Sequence, residues 1–166
     1  MSLTEAEPIA PSTSASPRAT YLLFLGLTPD ALTRIVDCVK PERYDDRLDP
    51  ERFSLREAIA HLADFEKTIL DRMGIACETP GALVENFDEE ARAKEKAYAT
   101  RDVHHELEVF GNRRRETVMF LETLPTNDFK KTFVHPQRGE MSIKEFAGLV
   151  LGHDIYHIEQ ATQYLR

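Results

Sequence analysis

The sequence is poor in cysteine, has fewer basic than acidic residues and lacks any long apolar run. Its two cysteines, Cys38 and Cys77, form no CxxC or other metal spacing, which excludes a thiolate metal site. Both are read as free thiols in a reducing compartment. No apolar stretch approaches the roughly 18 residues that span a bilayer, so no membrane role is expected. Residues 1–17 lack both a basic segment and an apolar core, which argues against a secretory signal and makes a cytoplasmic location the expectation. Lysine and arginine number 21 against 29 aspartates and glutamates, for a net charge of −8. A nucleic-acid partner needs a basic surface to displace counterions from phosphates. Arg113, Arg114 and Arg115 offer at most a local patch, so the expected partner is a small-molecule substrate.

What remains is an amphipathic, helix-forming chain. Residues 1–17, rich in Ser, Pro, Thr and Ala, read as a flexible tail, and residues 18–166 as a single domain. The apolar segment Ala19 to Leu27 is helical or packed on the domain. Thr28-Pro29-Asp30 then reads as a helix start, with Thr28 as cap and Pro29 at the first helical position. That helix buries Leu32, Ile35, Val36 and Val39 and closes at Pro41. Ser54-Leu55-Arg56-Glu57 is a capping box that opens a second helix, with Gly74 as its stop. Residues 74–100 form a long charged connection with a short helix near Asp88 to Tyr98. A third helix covers Asp102 to Leu124 and ends at Pro125. Lys131 to Val134 and Pro136-Gln137-Arg138-Gly139 suggest a short hairpin or ordered loop. A second capping box, Ser142-Ile143-Lys144-Glu145, opens the last helix. The fold class expected is all-α, a four-helix bundle with that hairpin before its last helix. A homodimer is compatible with such a bundle.

The chemistry concentrates on the last helix. Its inward seam reads Phe146, Val150, His153, His157, Gln160 and Tyr164, where an ordinary seam carries aliphatic residues. Burying polar groups costs about 1–3 kcal/mol each unless they are paired. A shared cation would compensate two adjacent imidazoles directly. Histidines four apart stand one turn above each other on one helix face and can take neighbouring positions around one ion. His61, on the flank of the second helix's apolar stripe, is the best third ligand. A diiron carboxylate centre needs Glu-x-x-His units. Glu57 stands four residues from His61, and no seam glutamate precedes His153 by three, so that centre is rejected. Gln160 either orients a metal-bound water or substrate or is a buried amide bonded to another helix. Asp154 is expected to face solvent, with support of a ligand histidine as its alternative role. Arg114, on the third helix's seam, either meets a substrate carboxylate, snorkels outward or pairs with a glutamate. His104 and His105 read as surface residues, and His135 receives no role.

The segments Phe53-Ser54-Leu55-Arg56-Glu57, His61-Leu62-Ala63-Asp64-Phe65-Glu66, His135-Pro136-Gln137-Arg138-Gly139-Glu140-Met141 and Gly152-His153-Asp154-Ile155-Tyr156-His157-Ile158-Glu159-Gln160 together resemble the DinB/YfiT-like superfamily. The likeness runs from about Leu32 to Arg166, with Glu78 to Tyr98 unmatched. Phe53 stands where that family often has tryptophan. The resemblance implies a small four-helix bundle and a metal held by His61, His153 and His157. It also implies kinship with transferases that join a low-molecular-weight thiol to an electrophile, and with a thiol-dependent isomerase. Three neutral imidazoles leave a divalent ion at least one open position, the arrangement of a catalytic site. All-nitrogen ligation suits zinc, nickel, cobalt or iron(II). The leading expectation is metal-activated thiol transfer to a small electrophile, with a thiol as cosubstrate; the ligands alone fit hydrolysis equally. The alternatives are a non-catalytic metal- or small-molecule-binding stress protein, and a relative whose histidines merely satisfy one another.

Overall fold

The computed structural model describes residues 16–166. Five α-helices carry the fold: α1 (Pro17–Val36), α2 (Leu55–Glu78), α3 (Glu89–Glu95), α4 (Val103–Thr123) and α5 (Ile143–Thr162). A hairpin of β1 (Thr132–His135) and β2 (Gly139–Ser142) precedes α5. The expected tail lies outside the described residues up to position 15, but Ser16 caps α1 and Pro17 begins it.

The four long helices form the bundle. α1 packs on α4 and α5, and α2 packs on the same two partners. The consecutive helices α1 and α2 therefore occupy diagonal corners, joined by the long segment that includes a 3-10 turn at Pro41–Arg43. Both expected capping boxes form: Ser54 with Glu57 at the start of α2, and Ser142 with Glu145 at the start of α5. Each closes two backbone N–H groups that a helix start otherwise leaves open. The helices that carry the three histidines are thus pinned at their N-termini. β1 pairs antiparallel with β2 from Thr132↔Ser142 to His135↔Gly139, and Gly139 takes the left-handed φ of 77° that the turn requires. Buried Phe133 sets its ring edge-on to Phe146, 5.0 Å between centroids, which docks the hairpin on α5.

Two expected boundaries are corrected. α2 does not stop at Gly74 but continues to Glu78. Ala76 is fully buried in the core beside Met73, and that burial outweighs the roughly 1 kcal/mol by which glycine disfavours a helix. α1 does not start at Thr28-Pro29 either: Pro29 lies inside it. A mid-helix proline leaves the carbonyl four residues earlier without its donor. Here that carbonyl, Leu25 O, accepts instead from Thr28 Oγ1 at 3.0 Å and from Arg114 Nη1 at 3.2 Å.

The core has three layers along the bundle axis. One apolar cluster gathers Leu25, Ile69, Leu121, Phe133 and Phe146, and a second gathers Leu32, Leu55, Phe110 and Tyr164. Between them on every bundle helix sits a polar residue: Thr28 on α1, Glu66 on α2, Arg114 and Thr117 on α4, and Asp154 on α5. Arg114 is 1% exposed. Its guanidinium forks onto both oxygens of Asp154 and reaches Glu66 Oε1 at 2.5 Å, while Thr117 Oγ1 donates to Glu66 Oε2 at 2.9 Å. Thr28 Oγ1 donates to Asp154 Oδ2 at 2.7 Å. Of the roles left open for Arg114, pairing with a glutamate is the one the fold uses. Asp154, expected at the surface, is fully buried. α5 buries Phe146, Val150, His157 and Gln160 of the expected seam together with Ile143, Ala147, Asp154 and Ala161, so the inward face is wider than that seam and at this turn is centred on Asp154. His153 consequently sits at its edge, half-buried.

Candidate metal centre

α2 contributes His61 and α5 contributes His153 and His157. One nitrogen from each of the three lies within 4.8 Å of the others, and theirs is the one such cluster of potential metal ligands among the described residues. His61 is fully buried and His157 is 6% exposed. His61 Nε2 stands 3.0 Å from His153 Nε2. His157 turns its Nδ1 to Gln160 Oε1 at 3.1 Å, which leaves its Nε2 for the shared space. The amide of Gln160 is then completed by donation from Nε2 to the Phe53 carbonyl at 2.6 Å. Gln160 therefore joins α5 to the residue just before the α2 capping box, and it holds the His157 ring in one orientation and tautomer.

The surroundings are aromatic and apolar. Phe65, one turn after His61, stacks on the His61 ring at 5.6 Å with only 12° between planes, and it stands 5.3 Å from His153. Phe53, Phe87 and Tyr98 lie 5.5, 6.0 and 6.3 Å from His61. Phe53 thus provides one aromatic wall of the cluster. Tyr156 packs edge-on against His157 and carries Arg52 over its other side, the guanidinium carbon 4.2 Å from the ring centroid. Burial holds all three imidazoles below their ordinary pKa. His61 lies well below it, through burial first and then its two imidazole neighbours. His157 is pushed down to about 3 by burial and His153, against a smaller opposing effect of Gln160. In His153 burial dominates the upward pull of Asp154. Three neutral imidazoles result, with one nitrogen of each gathered in the same small space.

The donor set fits a divalent ion. Around zinc, with Zn–N distances of about 2.0–2.1 Å, tetrahedral nitrogens stand roughly 3.3 Å apart; His61 and His153 meet at 3.0 Å, with the third nitrogen within 4.8 Å of both. The protein provides no other acceptor or donor for the facing Nε2 atoms of His61 and His153 than each other. Their Nδ1 atoms are buried and without a partner among the described residues. Two cavities reach the cluster. One of about 140 Å³ is lined by Phe65, Phe87, Phe146, Leu149 and His153, with Arg72 and His135 further along. The other, about 340 Å³, is lined by Phe53, Tyr156, His153, His157 and Gln160. Glu89, at the start of α3, borders both. His104 and His105 lie at the exposed start of α4, away from these cavities, as expected of surface residues. Sequence reasoning missed Phe65 and Arg72. Phe65 was readable in principle, since a large ring four residues after a ligand histidine shares its face.

The comparisons agree with this architecture. A Bacillus subtilis protein named "Putative metal-dependent hydrolase YfiT" is 26% identical over 158 residues, covering 93% of this chain and 88% of its own. A "Putative metal-dependent hydrolase" of Oceanobacillus iheyensis is 24% identical over 134 residues, 81% of this chain and 77% of its own. The solved structure of the B. subtilis YfiT protein, described as "a probable metal-dependent hydrolase with an unusual four-helix bundle topology", superposes with a TM-score of 0.84 at 22% identity, over 93% of this chain and 90% of that one. The diagonal placement of α1 and α2 is thus seen within a known bundle fold. The DinB superfamily model matches residues 25–161, a span that includes every histidine of the cluster, and this chain belongs to the DinB superfamily.

Proposed function

We propose that His61, His153 and His157 hold one divalent transition-metal ion, and that the protein is a metal-dependent enzyme transferring a low-molecular-weight thiol to a small electrophile. The observation that carries the metal reading is the convergence of three imidazoles, two buried and one half-buried, with the facing nitrogens of His61 and His153 lacking any protein partner but each other. The ion would supply Lewis acidity, making a thiol or a water acidic enough to ionise near neutral pH. The chain's own residues do the rest. Gln160 keeps the Nε2 of His157 free of its proton by accepting from Nδ1. Phe53, Phe65, Phe87 and Tyr98 exclude water and lower the local dielectric.

The nucleophile is not one of the protein's own thiols. Cys38 is exposed, Cys77 is only partly buried, and neither borders the cavities that reach the histidines. Two cavities that share His153 favour a reaction of two substrates, with the bulkier thiol in the larger one and the electrophile in the smaller. The names of the relatives support the second reading, hydrolysis, in which water takes the place of the thiol.

Elemental analysis of protein purified without chelator tests the metal. About one equivalent in the wild type, lost in His153→Ala, is expected. No metal in either, even after reconstitution with zinc, nickel or iron(II), would sink the proposal. Turnover of a small electrophile that needs added thiol and disappears in His153→Ala supports transfer. Turnover of an ester or amide without thiol selects hydrolysis.

A further inference from the structure

Arg72 is a buried cation without a counter-ion. It lies on α2 on the same face as His61 and Phe65, and it is 4% exposed. Such a burial is costly, and arginines that endure it are almost always paired. Every other strongly buried guanidinium has its partner: Arg114 holds Glu66 and Asp154. Arg72 makes no ion pair among the described residues. Its Nη2 donates to the Glu85 carbonyl at 2.9 Å, while Nε and Nη1 meet no protein acceptor there. Neither belongs to the buried atoms left unpartnered, so neither is sealed off, and Arg72 lines a cavity together with His153. The guanidinium carbon stands 5.9 Å from the Phe65 ring and 6.0 Å from Phe146. Phe65 in turn stands 5.3 Å from His153. One aromatic ring therefore separates the free edge of the cation from the metal-ligating cluster.

We infer that Arg72 is a substrate-binding residue and that the small substrate is an organic acid, its carboxylate on Arg72 and its reacting group toward His153. A guanidinium presents paired N–H groups in the geometry that a carboxylate accepts. Between the two ends the wall is apolar, formed by Phe65, Phe87, Phe146, Leu149 and Val150, which suits a short hydrocarbon span. Arg138, exposed at the mouth, adds a second positive charge. His135 also lines the cavity and is kept neutral by burial and by these two arginines, so it adds none of its own. Glu89 is the one carboxylate on the lining, and it is not bonded to Arg72. The inference deepens the metal-centre proposal and rests on it only for the reacting end of the substrate.

The test is a titration of the zinc-loaded protein with butyrate and with its neutral counterpart butyramide, followed by protein NMR shifts. Butyrate is expected to bind at least tenfold more tightly than butyramide in the wild type, and Arg72→Met to erase that preference. Arg72→Met should fold at least as stably as the wild type, since it removes an unpaired buried charge. Arg72→Lys guards against a packing effect and should keep part of the preference. His157→Ala lies outside this cavity; it should lose zinc and still prefer butyrate. Equal binding of the two ligands, or a preference that survives Arg72→Met, would overturn the inference. So would a preference lost in His157→Ala but kept in Arg72→Met, which places the carboxylate on the metal. Inorganic phosphate outcompeting butyrate in an Arg72-dependent way would overturn the carboxylate assignment. A wild type that takes up no zinc yet selects butyrate through Arg72 would refute the metal proposal and leave this one standing.

Discussion

Gln160 illustrates how much a single amide can fix. Its two halves are used in opposite directions, Oε1 on His157 and Nε2 on the Phe53 carbonyl. It therefore acts through His157 and is a positioning residue. Partners of this kind typically contribute 10–100-fold to metal affinity. Gln160→Ala is expected to weaken zinc binding by that order in a competition with a chromophoric chelator, with folding retained; unchanged affinity would remove Gln160 from the site's design. Protonation gives a second check on these residues. The folded imidazoles titrate below the unfolded value of about 6.5, His157 as low as about 3. As pH falls below about 6.5 the unfolded chain therefore binds more protons than the folded one. Metal-free protein should lose stability through that window, by up to roughly 1.4 kcal/mol per pH unit for each buried histidine. Zinc should protect in the same range by competing with those protons. Urea denaturation of the metal-free protein at about pH 7.5 and about pH 5 reads the effect; a flat profile would mean that the cluster protonates without unfolding.

At the scale of elements, what was legible followed local rules. The two capping boxes, the end of α4 before Pro125 and the hairpin before α5 all depend on neighbours within a few residues, and all formed. So did the His153–His157 spacing, because one helical turn is the same in every helix. The start of α1 was misread because the rule for Pro29 assumes an unsatisfied carbonyl at Leu25. Two donors relieve that carbonyl, the nearby Thr28 hydroxyl and Arg114 on another helix, and no local pattern encodes the second. Gly74 misled for a related reason: the burial that carries α2 past it comes from the hairpin end of the core. Asp154 was misplaced because the inward face of α5 is wider than a single seam: its carboxylate is drawn in by Arg114 of another helix. Arg72 could not have been singled out from sequence, since lacking a counter-ion is a property of the assembled structure.

At the scale of the whole molecule, Arg114 is the junction of the bundle. It bonds to α1 through Leu25 and Thr28, to α2 through Glu66 and to α5 through Asp154, from its own place on α4. Burial pushes the Glu66 carboxyl up while Arg114 pulls it back, so that carboxylate depends on the guanidinium to stay charged. Arg114→Met would leave two carboxylates in the core without their cation. A loss of about 3–5 kcal/mol is expected in urea denaturation, as for other buried pairs broken on one side. Adding Glu66→Gln should recover part of that loss; a single variant as stable as the wild type would show that the layer contributes nothing to cohesion.

Asp154 and His153 are sequence neighbours that face different clients, one the junction and one the histidine cluster. The means of holding the helices together and the candidate metal ligands thus reside in separate side chains of one helical turn. A lineage could surrender its histidines to drift and still inherit a foldable bundle, or alter the cavity walls without disturbing the junction. Such a division makes the scaffold easy to repurpose, and descent with an intact fold but changed chemistry is the history it permits.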